Sequence, residues 1–177
     1  ITDDGSSEPE IRRDFAELVS GSISFSMRRE VNAHDTSNIQ FGVTADRGVG
    51  RAFMVQMGND GNIYTEDAGV IRNLGAYSSG QWYQVQIEFD CSLDQHRVKI
   101  AAGAWSPWYT FSNPKSSISN IILMLGNSHN NVQVTNYWDD LLITSASSTI
   151  STSYRQPSSV FRRDYFSGAT STDSYTY

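Results

Sequence analysis

The stretch WYQVQIEFD, Trp82 to Asp90, constrains this chain more than any other. Tyr83, Val85, Ile87 and Phe89 alternate with Gln84, Gln86 and Glu88, and a period of two is the signature of a half-buried strand. A helix would scatter those apolar side chains around its whole circumference. Six more segments read as strands. In SISFSMR, Ile23, Phe25 and Met27 oppose Ser24, Ser26 and Arg28. NIQFGVT sets Ile39, Phe41 and Val43 against Gln40 and Thr44, and AFMVQMG sets Phe53, Val55 and Met57 against Met54 and Gln56. HRVKIA alternates Val98 and Ile100 with Arg97 and Lys99, while SNIILML is apolar on both faces and reads as a central strand. YWDDLLIT closes the set, with Leu141 and Ile143 in phase with Asp139 and Trp138 out of phase, at a surface or a subunit contact.

Turn-forming residues separate these segments at Asp46–Gly48, Asn59–Gly61, Ser78–Gly80 and Asn113–Pro114, and no stretch carries a capped helical stripe. Many short strands without helices indicate an all-β, two-sheet antiparallel jelly-roll sandwich. Its span is residues 11–146, after a polar, acidic stretch at 1–10 read as a flexible leader. Residues 147–159 form a Ser/Thr-rich linker to a tail at 160–177. That tail repeats the Arg-Arg-Asp-aromatic tetrad of Arg12–Phe15 at Arg162–Tyr165. It begins a second copy of the module, supplies a strand to a neighbouring subunit's sheet edge, or matches by coincidence.

Composition narrows the function classes. The 177 residues carry a net charge of −6, against the basic footprint that nucleic acid requires. The longest apolar run, Ile121–Leu125, is too short for a membrane span. The start of the chain has no basic, then apolar, leader, so any secretion signal is expected to have been removed. Cys91 is the one cysteine and reads as a small buried hydrophobe; the three histidines, His34, His96 and His129, fall at expected loops.

The order GSISFSMR, FMVQMGNDGNIY, GQWYQVQIEFD, HRVKIAAG, SISNIILMLGNS, NYWDDLLIT resembles bacterial laminin G-like and concanavalin A-like domains over residues 11–145. Its most specific parts are Gly80–Asp90 and Tyr137–Ile143. The resemblance implies an extracellular module, places Trp82 in the core, and suggests a structural calcium ion shared between the closing strand and the N-terminal segment. Asp139 and Asp140, with Asp14 or Glu17 to complete the site, are the candidate ligands, since calcium takes hard oxygen donors. An ion pair, with an arginine such as Arg13, is the alternative for Asp139.

Catalysis is not expected. Glycosidases need paired carboxylates. The nearest pairs are Glu66 with Asp67 and Glu88 with Asp90, the latter on one strand face but without a third partner and ending at a turn, and no nucleophile elbow or phosphate loop is present. Binding has more material, because aromatic rings stack on the apolar faces of sugars while amides meet their hydroxyls. Trp105, Trp108 and Tyr109 form the densest aromatic cluster, either an exposed platform or a cover for the core. Gln56, Gln84, Gln86, Glu88 and Arg97, with Gln40 and Lys99, lie on outward phases and form either a ligand face or a solvated one. The expectation is therefore a non-catalytic extracellular carbohydrate-binding or adhesive module with a glycan partner, without nucleic acid or membrane insertion. The alternative is a structural subunit of a surface layer or filament assembled through residues 160–177.

Overall fold

The structure is a computed structural model that describes residues 2–3, 10–30, 36–44, 50–125 and 134–146. The tail, the linker, His34 and His129 lie outside the described residues. Twelve strands run in chain order: β1 (Thr2–Asp3), β2 (Glu10–Leu18), β3 (Ser20–Arg29), β4 (Ser37–Phe41), β5 (Phe53–Met57), β6 (Asn62–Asp67), β7 (Val70–Ala76), β8 (Trp82–Asp90), β9 (Gln95–Ile100), β10 (Tyr109–Thr110), β11 (Ile118–Leu125) and β12 (Val134–Ser145). They form two six-stranded sheets, ordered β1-β12-β3-β8-β9-β10 (sheet one) and β2-β11-β4-β5-β6-β7 (sheet two). All pairings are antiparallel, which makes the chain the expected two-sheet jelly-roll sandwich.

Each alternating segment turns its apolar phase inward. Ile23, Phe25, Met27, Val85, Ile87, Phe89 and Val98 from sheet one meet Ile39, Phe41, Phe53, Val55, Met57, Ile121 and Leu123 from sheet two. Phe53 sits at the centre, stacked on Phe41 at 4.8 Å and on His96 at 4.4 Å between ring centroids. His96 is fully buried on β9, not in a loop. Its neighbours Gln95 and Arg97 face outward, so strand phase carries the imidazole into the core. Thr65 Oγ1 donates to the Met54 carbonyl at 2.8 Å, so its contact with His96 Nε2 at 3.0 Å makes that nitrogen the donor. Nδ1 is then an unprotonated acceptor without a partner. Burial pushes the imidazole down to about 4, and it is neutral at physiological pH. Cys91 is buried as expected, its thiol raised to about 11 by burial.

Some elements are not visible in the alternation. β6 and β7 form a hairpin closed by Ala68 and Gly69, both with positive φ (49° and 81°), the geometry of a type I′ turn. Ala68 occupies a position where Asn, Asp or Gly is usual, and a bulge between Ile63 and Tyr64 breaks the period. Within the acidic stretch read as a leader, Thr2 and Asp3 pair with Thr135 and Val134. A second bulge, in β12, matters more. Asp139 lies opposite Ser26 and Leu142 opposite Ser24, so Asp140 and Leu141 share the space of one residue, with Asp140 at φ 55°. The bulge reverses the phase expected from sequence. Trp138, opposite Met27, packs inward against the core, whereas Asp139 joins the outward row.

Candidate functional site, the outward face of sheet one

The outward face of sheet one is built from cross-strand rows. One row sets Ser22 opposite Glu88 and Glu88 opposite Arg97; the next sets Ser24 opposite Gln86 and Gln86 opposite Lys99; a third sets Ser26 opposite Gln84. Glu88, Gln86, Gln84, Arg97 and Lys99 therefore share one surface, as their common phase predicts. Three serines keep the centre of that surface low, and amides flank them.

The chain after β9 shapes one end. It turns back through Ala101 (φ 49°) and runs along β9, with Trp105 opposite Lys99 and Tyr109 opposite His96. Pro107 has no N–H to offer this ladder, and the Ser106 hydroxyl accepts from the Val98 N–H at 3.0 Å. The register slips by one residue between Trp105 and Tyr109, which brings both Trp105 and Trp108 against Arg97. The Arg97 guanidinium lies 4.7 Å from the Trp105 ring centroid and 4.8 Å from that of Trp108. Glu88 Oε2 accepts from Arg97 Nε at 2.7 Å and holds the guanidinium in place. Lys99 Nζ lies 6.0 Å from the Trp105 ring. Trp108 stays 44% exposed. Tyr109 parts from the two indoles: it is half-buried, with its ring 6.0 Å from that of His96.

A second aromatic group occupies the opposite end of the same face, and sequence reasoning missed it. Tyr137, Arg28 and Trp82 are neighbours across β12, β3 and β8. Arg28 sits 5.2 Å from the Tyr137 ring centroid and 5.9 Å from that of Trp82, and Glu30 binds its guanidinium. Trp82 is 46% exposed, which corrects its expected place in the core. The signal was available: Trp82 shares the phase of Gln84, Gln86 and Glu88, opposite to Tyr83.

Gln56 is on the other side of the molecule. The outward face of sheet two carries Asn38 and Gln40 of β4, Met54 and Gln56 of β5, and Tyr64 and Glu66 of β6, with Gln56 opposite both Asn38 and Tyr64. The core separates it from the Trp105–Trp108 cluster. On that face Asp60 accepts from the Tyr64 hydroxyl, a bond that lowers the Asp60 carboxyl and raises the phenol. Gln40 Nε2 donates to Asn38 Oδ1 at 2.8 Å, and Gln40 Oε1 is buried without a partner.

The acidic residues do not converge on a metal. Asp14 belongs to β2 in sheet two, opposite Asn120, and accepts from Arg12 at 3.0 Å. Asp139 and Asp140 belong to sheet one, where Asp139 Oδ1 accepts from the Asp140 N–H at 2.9 Å. Among the described residues no group of three His, Cys, Asp or Glu side chains is placed to hold an ion, so these three do not fit a shared calcium. The carboxylate pairs are tied elsewhere as well. Arg97 holds Glu88, while Asp90 Oδ1 accepts from the Ser92 N–H and hydroxyl. Arg51 and Ser112 hold Glu66. Arg72 holds Asp67 and lowers its carboxyl.

No protein-family model matches the sequence, and no curated protein matches it. Solved structures match the fold, a two-sheet antiparallel β-sandwich. A sialidase superposes with a TM-score of 0.71 at 14% identity, covering 82% of this chain. That match takes in only 15% of the sialidase chain. CG-16, a homodimeric agglutinin from chicken liver, gives a TM-score of 0.51 at 9% identity, over 77% of this chain and 100% of the agglutinin. At these identities the likeness shows the fold alone.

Proposed function

We propose that this chain is a non-catalytic, extracellular carbohydrate-binding and adhesive module that takes its glycan on the outward face of sheet one. The observation that carries the reading is Arg97, held by Glu88 between two indoles beside a floor of serines and glutamines. The exposed Trp108 ring suits the C–H face of a sugar, and the hydroxyls and amides next to it suit its hydroxyls. The partly exposed carboxylates are tied to arginines or turn N–H groups, which supports binding over hydrolysis. The resemblance to bacterial laminin G-like domains supports the extracellular placement, and the agglutinin among similar structures supports the sugar class. A glycan array tests this: binding by the whole chain, weakened for Arg97→Ala and Trp108→Ala, is the expected result. Shortening of a bound polysaccharide would replace the reading with an enzymatic one.

A second reading, a structural subunit joined to its neighbours through residues 160–177, is favoured by β2. This strand carries the tetrad Arg12–Phe15 at the edge of sheet two, paired only with β11 among the described residues, and Arg162–Tyr165 repeats that tetrad. Concentration-dependent assembly that disappears on deleting residues 147–177, measured by light scattering, supports this reading; a monomer at all concentrations removes it.

A further inference from the structure

The two aromatic groups on sheet one have the same construction. Each is an arginine against two aromatic rings, tethered by a glutamate: Arg97 with Trp105, Trp108 and Glu88, and Arg28 with Trp82, Tyr137 and Glu30. Each leaves ring surface in solvent, with Trp108 44%, Trp82 46% and Tyr137 42% exposed. Trp82 and Glu88 are six residues apart on β8, and Arg28 and Ser22 six apart on β3. At about 3.3 Å per residue the groups stand roughly 20 Å apart along the strands. Between them β3 and β8 expose Ser22, Ser24, Ser26, Gln84 and Gln86, all neutral and hydrogen-bonding, and the flanking strands add one charge of each sign, Lys99 beside Gln86 and Asp139 beside Ser26.

We infer that the two groups are paired stacking stations for one extended, uncharged polysaccharide chain, bound through its interior sugars; this rests on the saccharide reading above. Three features select that occupant. The floor between the stations is low and polar, so it suits hydroxyls rather than an apolar partner surface. Both arginines are neutralised by their own glutamates, and the chain's net charge is −6, so a sulfated or uronic-acid polymer gains little and meets general repulsion. The face is an open sheet rather than a pocket. A terminal sugar is held by enclosure, whereas a passing chain needs only stations spaced along it. The spacing spans several sugar units of an extended chain, so affinity should grow with length until both stations are covered.

The test uses the whole chain and linear neutral polysaccharides (β-1,4-glucan, xylan, mannan and galactan) in affinity electrophoresis. Titration calorimetry then compares the disaccharide and the hexasaccharide of whichever backbone is retained. The hexasaccharide is expected to bind at least tenfold more tightly than the disaccharide. Trp108→Ala should weaken the hexasaccharide about tenfold and remove one of two disaccharide sites. Trp82→Ala and Tyr137→Ala should each do the same at the other station, with Trp82→Phe restoring most of the loss. Equal affinity for the two lengths, or a hexasaccharide indifferent to Trp82→Ala and Tyr137→Ala, overturns the two-station inference while Trp108→Ala still defines a sugar site. Retention of none of the polysaccharides overturns the inference and, if the glycan array is also blank, the saccharide reading beneath it.

Discussion

The two outward faces of this sandwich carry the same kinds of residue and use them differently. On sheet two, Arg51 binds Glu66, whose side chain is 4% exposed; on sheet one, Arg97 binds Glu88, whose side chain is 37% exposed. Gln40 of sheet two is sealed, with an oxygen that accepts nothing, while Gln84 of sheet one lies in solvent. Aromatic rings are exposed at both ends of the sheet-one face. One face is therefore part of the scaffold, and the other is open to a partner. The same ion-pair chemistry is sealed from water on one face and exposed to it on the other.

Four measurements press on this contrast. The largest effect is expected from Arg51→Ala. It leaves a buried carboxylate without its counter-charge, held by the Ser112 hydroxyl, which costs about 3 kcal/mol, and thermal denaturation should show a clear loss of stability. A small loss would mean that sheet two is as open as sheet one.

Acidification should act nearly as strongly, through the core that both faces share. His96 titrates near 6.5 when unfolded and is pushed down to about 4 by burial in the fold. Between those values the unfolded chain binds the extra proton. The neutral imidazole's contribution is complete above pH 6.5 and is lost as pH falls from there toward 4, on the order of 3 kcal/mol. Urea midpoints followed across that window should fall steeply for the native chain and less steeply for His96→Gln. Parallel curves would show that the imidazole does not drive the transition.

Arg97→Ala should cost no more than about 1 kcal/mol of stability, because its ion pair is partly solvated. It should nonetheless weaken glycan binding several-fold. A variant that melts far earlier would place Arg97 in the scaffold instead. Gln40→Leu should do least, keeping stability within about 1 kcal/mol, since removing an unsatisfied buried oxygen offsets the lost bond to Asn38. If it abolishes glycan binding, the site lies on sheet two.

Much of this architecture was legible in the alternation. The inward phases of β3, β4, β5, β8 and β9 were read directly, because a buried face forces a period of two. The cluster at Trp105 and Trp108 was legible as well, since both indoles lie within one short segment. The Trp82–Arg28–Tyr137 group was not, because its members come from three strands and meet only through register. Nor was the outward turn of Asp139: one inserted residue at the β12 bulge reverses every phase before it, and an aspartate such as Asp140 tolerates a positive φ without requiring one. The β6–β7 hairpin escaped for a related reason, with Ala68 standing where turn chemistry would have announced itself.

The sequence by itself determined the class of fold and the composition of each strand's two faces, because those follow from side-chain period and need no partner. Only the tertiary structure decided which outward face is sealed and which is open. It also decided which distant residues form a row, and that Gln56 and Gln84 lie on opposite sides of one core. Pairing order and bulges set these relations, through contacts between residues far apart in the chain, and a local pattern does not encode them.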